Sequence, residues 1–301
     1  MSIHIVVVTF NSGAHLSTFL DSVPLATDRE VTVTVSDNGS TDGSLDALDD
    51  RPGVTVLRNG ANLGYGAAAN RGAAEGCAEW LVVANPDVRL TPGVLEELLE
   101  AGARWPGAGA LGPGILTPEG LLYPSARMLP SLRRGIGHAT LGWAWPGNPW
   151  STAYRNDRGT PVEGVVGWLS GSFMLMRRSA FDAVGGFDER YFMYFEDVDL
   201  CDRLGRAGFE CVYVPGAKVL HVGGHSTTKD GAAAARMAKV HHKSAYRYLA
   251  DRHQGLAWAP VRAVVGAGLA GRYLASRVIG KVSHAEVPAR SLDDSPAEGR
   301  P

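Results

Sequence analysis

Short apolar runs alternate with helical periodicity along the first third of the chain. Ile3 to Thr9 precedes a helical pattern from Leu16 to Val23, and Val31 to Ser36 precedes Ser44 to Leu48. Val54 to Leu57 is followed by Gly66 to Cys77, and Trp80 to Ala84 by a helix from Pro92 to Arg104. Such alternation predicts an α/β fold, a mostly parallel sheet covered by helices on both faces. From Leu122 to Val162 the pattern breaks into Pro, Gly, Arg and Trp. Long stretches of this kind are functional or disordered. With Trp143, Trp145 and Trp150 inside it, a flap over an acceptor site competes with a packed surface excursion. Strand patterns return at Gly167 to Met176 and at Cys211 to Val222.

Beyond about Asp230 the character changes to an Ala-rich helix carrying Arg236, Lys239, Lys243 and Arg247 at helical spacing. A basic stripe of this kind suits anionic lipid headgroups or a lipid diphosphate, and a solvated helix face is the competing reading. Leu256 to Val282 is apolar but interrupted by Arg262, Arg272 and Arg277, too often for an uncharged spanning helix. It reads as lying on an anionic membrane surface or packing on a second copy in a homo-oligomer. The division expected is a catalytic domain over 1–230, a helical extension over 231–283 and a disordered polar tail over 284–301.

Composition narrows the class without naming it. The chain has 301 residues, 45% of them hydrophobic, enough for one large α/β domain with an appendage. A net charge of -2 gives no global attraction to nucleic acid. Three cysteines, Cys77, Cys201 and Cys211, lack metal-ligand spacing and indicate a reducing compartment. The N-terminus carries no export pattern, so a cytoplasmic location is expected.

Ligands of such sheets bind outside the carboxyl ends of the strands, and polar residues gather there. Thr9, Phe10 and Asn11 follow the first strand, Asp37 to Asp42 the second, and Asn85 to Asp87 the fourth. Asp37 to Asp42, DNGSTD, combines a carboxylate with turn formers and by itself reads as a plain β–α turn. Asn62 to Gly72 joins a Gly-containing loop to a helix N-terminus, an anion site within reach of Arg71 unless it merely caps the helix. Asp87 at a strand end could bind a hard divalent cation together with diphosphate oxygens. Between Gly185 and Arg203, Glu196, Asp197 and Asp199 lie beside Phe192, Tyr194 and Phe195. That setting can tune a carboxylate to accept a proton, although acids also complement a helix start and Asp199 can pair with Arg203.

Two further patterns are decoys. Gly107 to Gly112 has dinucleotide-binding spacing but does not join a strand to a helix. His221 and His225 have zinc-helix spacing, but the two glycines between them favour a loop. One of these histidines could still complete a metal site with Asp87.

Six segments in this order carry a family resemblance: VVVTFN at Val6 to Asn11, DNGSTDGS at Asp37 to Ser44, NLGYGAAANRG at Asn62 to Gly72, NPDV at Asn85 to Val88, WLSGSFMLMRR at Trp168 to Arg178, and FDERYFMYFEDVDLCDR at Phe187 to Arg203. Across roughly Ser2 to Thr228 the chain resembles glycosyltransferase family 2, and within it the bacterial rhamnosyltransferases that act on a polyprenyl-diphosphate-linked N-acetylglucosamine. The resemblance implies a GT-A fold and inverting transfer from a nucleotide sugar, dTDP-rhamnose or another such as a UDP-sugar. By that resemblance Phe10, flanked by Thr9 and Asn11, faces the nucleotide base, and Asp37 hydrogen-bonds its imide edge. Asn62, Gly64, Asn70 and Arg71 line the donor cleft. Asp87 and His221 hold Mg2+ or Mn2+, although NPD replaces the usual pair of aspartates. Asp197 is the base, with Glu196 beside it, and Trp168, Ser170 and Gly171 lie near the acceptor sugar. A non-catalytic scaffold on the same fold has no use for Asp37, Asp87, Asp197 and His221 together.

Overall fold

The computed structural model describes residues 1–46, 48, 51–130, 161–222 and 231–279. The Trp-containing stretch from 131 to 160, His225 and the expected tail fall outside these residues. Strands β1 (Ile3–Thr9), β2 (Val31–Asp37), β3 (Val54–Arg58) and β4 (Trp80–Ala84) come first, with β5 (Val88–Leu90) and β6 (Ala108–Leu116) after them. Helices α1 (Ala14–Ala26), α2 (Tyr65–Ala73) and α3 (Val94–Arg104) connect them on either face. Short strands β7 (Leu122–Tyr123), β8 (Ala126–Arg127), β9 (Gly164–Val166) and β10 (Trp168–Leu169) lead to β11 (Phe173–Arg177). Then come α4 (Arg178–Ala183), α5 (Glu196–Arg206) and β12 (Glu210–His221).

The main sheet runs β3-β2-β1-β4-β11-β6-β12-β5, and six of these eight strands point the same way. Successive side chains of a strand face opposite sides of a sheet. Accordingly Ile3, Ile5 and Val7 join Leu16 and Phe19 of α1 and Leu95 and Leu98 of α3 in one core. Val6 and Val8 join Ala68 and Ala69 of α2 and Leu200 and Leu204 of α5 in the other. Burial on both faces is why these strands read as continuous apolar runs.

Two expectations change. The pattern at Ser44 to Leu48 forms turns in its described residues, with Asp46 N–H bonding Gly43 O and Leu48 N–H bonding Leu45 O. Here the Asp42 carboxylate takes the N–H of Ser44, competing with a helical start. The single strand expected at Gly167 to Met176 is two, because the chain turns through Ser170 to Ser172 between β10, which pairs with β8, and β11. The sheet is mostly parallel as expected, with β11 running antiparallel to both β4 and β6 in its middle. The GAGALG pattern runs from the turn residue Gly107 into β6, where a Cβ on Gly112 would come within 2.6 Å of Leu169. Those glycines serve packing.

The C-terminal part is a helical hairpin, α6 (Gly231–Arg252), a short 3-10 turn and α7 (Ala259–Ile279). His242 meets Tyr273 and Tyr246 lies against Gly266, so the two helices run antiparallel. No helix of the described residues is long and apolar enough to cross a membrane. The end of α6 is tied to α5 through Arg252 and the buried Asp202, 2.5 Å apart, and Arg206 reaches the same carboxylate.

Candidate active site

The carboxyl ends of β1 and β2 form one wall. Asn11 sits at φ 49, a left-handed conformation Asn tolerates, held because its N–H donates to Ser40 Oγ (2.9 Å) and its Oδ1 accepts from Thr41 N–H (2.8 Å). Thr9 bonds Ser12 at 2.7 Å. Phe10 between them is 48% exposed, a flat ring open for stacking. Asp37 is only 3% exposed, and its oxygens accept Gly39 N–H, Ser40 N–H and, at 2.5 Å, the Ser40 hydroxyl. The carboxylate therefore builds the turn that supports Asn11, and a base edge could reach it only beside Ser40.

The anion site expected at the start of α2 is not open. Asn62 Oδ1 takes the N–H of Gly64 (3.0 Å), and Phe192 O takes that of Tyr65 (2.9 Å). Gly64 has φ +89, and a Cβ there would lie 2.2 Å from Phe192 O, so only glycine fits between this loop and the 191–195 segment. Asn70 is a clamp rather than an open cleft residue: its amide donates to Phe187 O (2.9 Å) and accepts Phe187 N–H (2.8 Å). Arg71 occupies the last turn of α2, roughly 10 Å along the helix from Gly64. Its guanidinium faces Asn59 O at 3.5 Å.

Asp87 and His221 meet because β5 pairs antiparallel with β12, setting Val88 opposite His221. His221 Nε2 and Asp87 Oδ1 are 3.1 Å apart, and both side chains are about one-fifth exposed. Burial would raise the Asp87 carboxyl, but the His221 hydrogen bond and charge hold it below its ordinary value. One oxygen and one nitrogen at this separation suit neighbouring positions on a divalent ion, whose bonds of about 2.1 Å put adjacent ligands roughly 3 Å apart. Among the described residues no third His, Cys, Asp or Glu joins them. Such an ion would draw its remaining ligands from substrate oxygens and water.

Across the cleft, Asp197 opens α5. Its Oδ2 accepts Gly171 N–H (2.9 Å) and its Oδ1 accepts Val198 N–H (2.8 Å). Burial nevertheless raises its pKa above the ordinary aspartate value. Glu196 is 7% exposed, its Oε2 has no hydrogen-bond partner among the described residues, and burial together with the charge of Asp197 pushes its pKa up to about 8. It backs Asp197 from within the protein. Asp199 pairs with Arg203 at 2.7 Å, as the helical spacing implies, and Arg203 also donates to the carbonyls of Val184 and Gly186.

The turn between β10 and β11 joins the two sides. Ser172 O accepts Asn85 N–H at 2.9 Å, so the Asn85–Asp87 loop and the Gly171 donor to Asp197 belong to one hydrogen-bonded unit. Ser170 lies in the same turn, its N–H on Ser125 O, and Trp168 precedes it with Arg127 stacked 5.9 Å from its ring.

Sequence reasoning passed over Tyr65. Its hydroxyl donates to Gly171 O at 2.5 Å, and burial together with the charges of Glu196, Asp197 and Asp87 pushes its pKa well above the ordinary value. A tyrosine in a Gly-rich loop at a helix start was the available signal, since a buried phenol needs a partner. Asn38, which binds Gly64 O and accepts Leu63 N–H, was likewise hidden in the DNGS turn.

Residues 4–185 match the family model for glycosyl transferase family 2, and residues 155–240 one for a glycosyltransferase-like family 2. Over 278 residues the chain is 56% identical to the N-acetylglucosaminyl-diphospho-decaprenol L-rhamnosyltransferase of Mycobacterium tuberculosis, spanning 88% of this chain and 90% of that protein. It is 49% identical over 88 residues to rhamnosyltransferase WbbL of Escherichia coli, 29% of this chain and 32% of that one. Among solved structures, the mannosyltransferase PcManGT from Pyrobaculum calidifontis, in complex with GDP-Man and Mn2+, has a TM-score of 0.55 at 15% identity, covering 93% of this chain and 75% of its own. S. aureus TarS 1-349 with UDP gives 0.52 at 13%, covering 93% and 74%. These distant structures carry the fold alone, GT-A. With its full set of ordered motifs and the extent of these matches, the chain belongs to glycosyl transferase family 2.

Proposed function

We propose that the protein moves L-rhamnose from dTDP-rhamnose, with inversion, to the N-acetylglucosamine of a polyprenyl-diphosphate carrier on the inner face of the cell membrane. The observation that carries this reading is 56% identity over 88% of the chain to an enzyme named for that acceptor. In this reading Phe10 stacks on the base, and the loop held by Asn11, Asp37 and Ser40 shapes the nucleotide wall. Asp87 and His221 would hold Mg2+ or Mn2+, which when bound neutralises charge growing on the leaving diphosphate. On the opposite face Asp197 takes the proton of the attacking acceptor hydroxyl as the sugar–phosphate bond breaks. Burial raises the Asp197 pKa, while the N–H groups of Gly171 and Val198 orient the carboxylate and favour its ionised form. A single displacement needs no covalent nucleophile. With a synthetic polyprenyl-diphosphate N-acetylglucosamine acceptor, release of nucleoside diphosphate is expected to be fastest from dTDP-rhamnose. A UDP-sugar turned over tenfold more efficiently would overturn the donor assignment.

The acceptor's lipid tail requires work at a bilayer, and the reading assigns that contact to the hairpin. Arg236, Lys239 and Lys243 are exposed on α6, and Leu256, Trp258 and Val264 are exposed around the start of α7. Each basic residue near an anionic surface contributes about 1 kcal/mol. Exchanging Arg236, Lys239 and Lys243 together for alanine should therefore weaken partitioning to anionic vesicles by about a hundredfold. Flotation equal to the unaltered chain, at low and high salt alike, would refute the stripe's role.

A further inference from the structure

The segment leading into the base, Tyr191 to Phe195, is gripped from two sides. On one, Phe192 O accepts the N–H of Tyr65 at 2.9 Å. On the other stands α6. Ser244 Oγ donates to Met193 O at 2.9 Å. The His241 ring meets Tyr194 and Phe195 edge-on, each at 5.5 Å. Tyr248, 1% exposed, packs on Phe195 at 5.7 Å.

Behind the base, Tyr248 and Leu249 close a small core with Tyr191, Val198, Trp168 and Leu129. Val198 follows Asp197 and supplies one of the N–H groups on its carboxylate. Tyr194 and Phe195 are consecutive bulky residues with left-handed φ, 64 and 70. Phe195 also accepts the first helical hydrogen bond of α5, from Asp199 N–H. Such geometry persists only where the surroundings over-determine it, and around these two rings α6 supplies much of those surroundings. Arg252 on Asp202 and Asp251 on Arg190 fix α6 along α5 and this segment.

We infer that α6 is a positioning element of the active site: Ser244, His241 and Tyr248 hold the 191–195 segment and thereby set where Asp197 stands against the acceptor. This rests on the reading of Asp197 as the base. The residues act through the segment and touch no reacting atom, so their loss should appear in turnover more than in donor binding, which the proposed function places at Phe10, Asn11 and Asp37.

The full-length enzyme carrying Ser244→Ala or His241→Ala is compared with the unaltered chain and with Asp197→Asn. Each α6 variant is expected to lower kcat about tenfold with donor KM unchanged. The acid limb of its kcat–pH profile should move to lower pH, because a looser segment lets water reach the Asp197 carboxylate. A purely structural role lowers the melting temperature but leaves kcat per folded molecule and the acid limb in place. That result for both variants, with Asp197→Asn inactive, overturns the inference. Normal turnover in folded Asp197→Asn removes the base reading instead, whatever α6 does. Should Ser244→Ala fail to fold, the exposed His241 still decides the matter.

Discussion

Asp197→Asn is expected to lower turnover by about two to four powers of ten, roughly 3 to 5 kcal/mol of barrier, with donor affinity little changed. The substitution keeps the size of the side chain but removes the proton acceptor, and its single amide oxygen can accept only one of the Gly171 and Val198 N–H groups. Donor binding should be spared because the proposed function places the nucleotide at Phe10 and Asn11, just after β1, and the proton transfer at the head of α5. In the unaltered enzyme the base must be ionised, so activity falls as pH drops through its folded pKa. Burial raises that pKa, which moves the acid limb to higher pH than an exposed aspartate would give. Asp199→Asn provides the contrast. It breaks the 2.7 Å pair with Arg203, which also ties down Val184 and Gly186, so it should show first as a lower melting temperature. Turnover is measured beside donor affinity for both variants, and near-normal turnover in folded Asp197→Asn refutes the assignment.

Activity is expected to vanish in excess chelator and to return on adding Mg2+ or Mn2+, and Asp87→Ala should lose at least about two powers of ten. Asp87 and His221 are already adjacent at 3.1 Å, so an ion would replace a hydrogen bond without rebuilding the backbone. His221→Ala, which leaves the carboxylate, should weaken Mn2+ binding in the presence of dTDP, read directly by calorimetry. Full turnover in excess chelator, or unchanged Mn2+ affinity in both variants, excludes the pair as the metal site.

Much of this was legible along the chain. Strands β1 to β4 and helix α3 follow from runs and periodicities a few residues long, and burial on both faces explains why those runs lack polar alternation. Asp87 and His221 stood out as candidates because chemistry-bearing residues collect at strand ends, and Asp197 because it lies among acids and aromatics at a helix start. The misreadings have a common cause. Asn70, Arg71 and the start of α2 looked like anion-binding parts because a sequence does not say which donors are already taken. Phe187 takes Asn70, Phe192 takes the Tyr65 N–H, and Arg71 turns to Asn59.

Local sequence by itself determined the α/β class, the order of the motifs and the identity of the carboxylates, because these depend on periodicity and turn chemistry within a few residues. Tertiary structure alone decided which residues meet. The reversed β11 turns Gly171 toward Asp197 across 26 positions, and β5 on β12 brings Asp87 to His221 across 134. Helix α6, which in sequence looks like an appendage, reaches Met193 from Ser244 across 51. Pairings of that range are set by strand order and by buried partners competing for the same donors, and no window of sequence contains both sides of them.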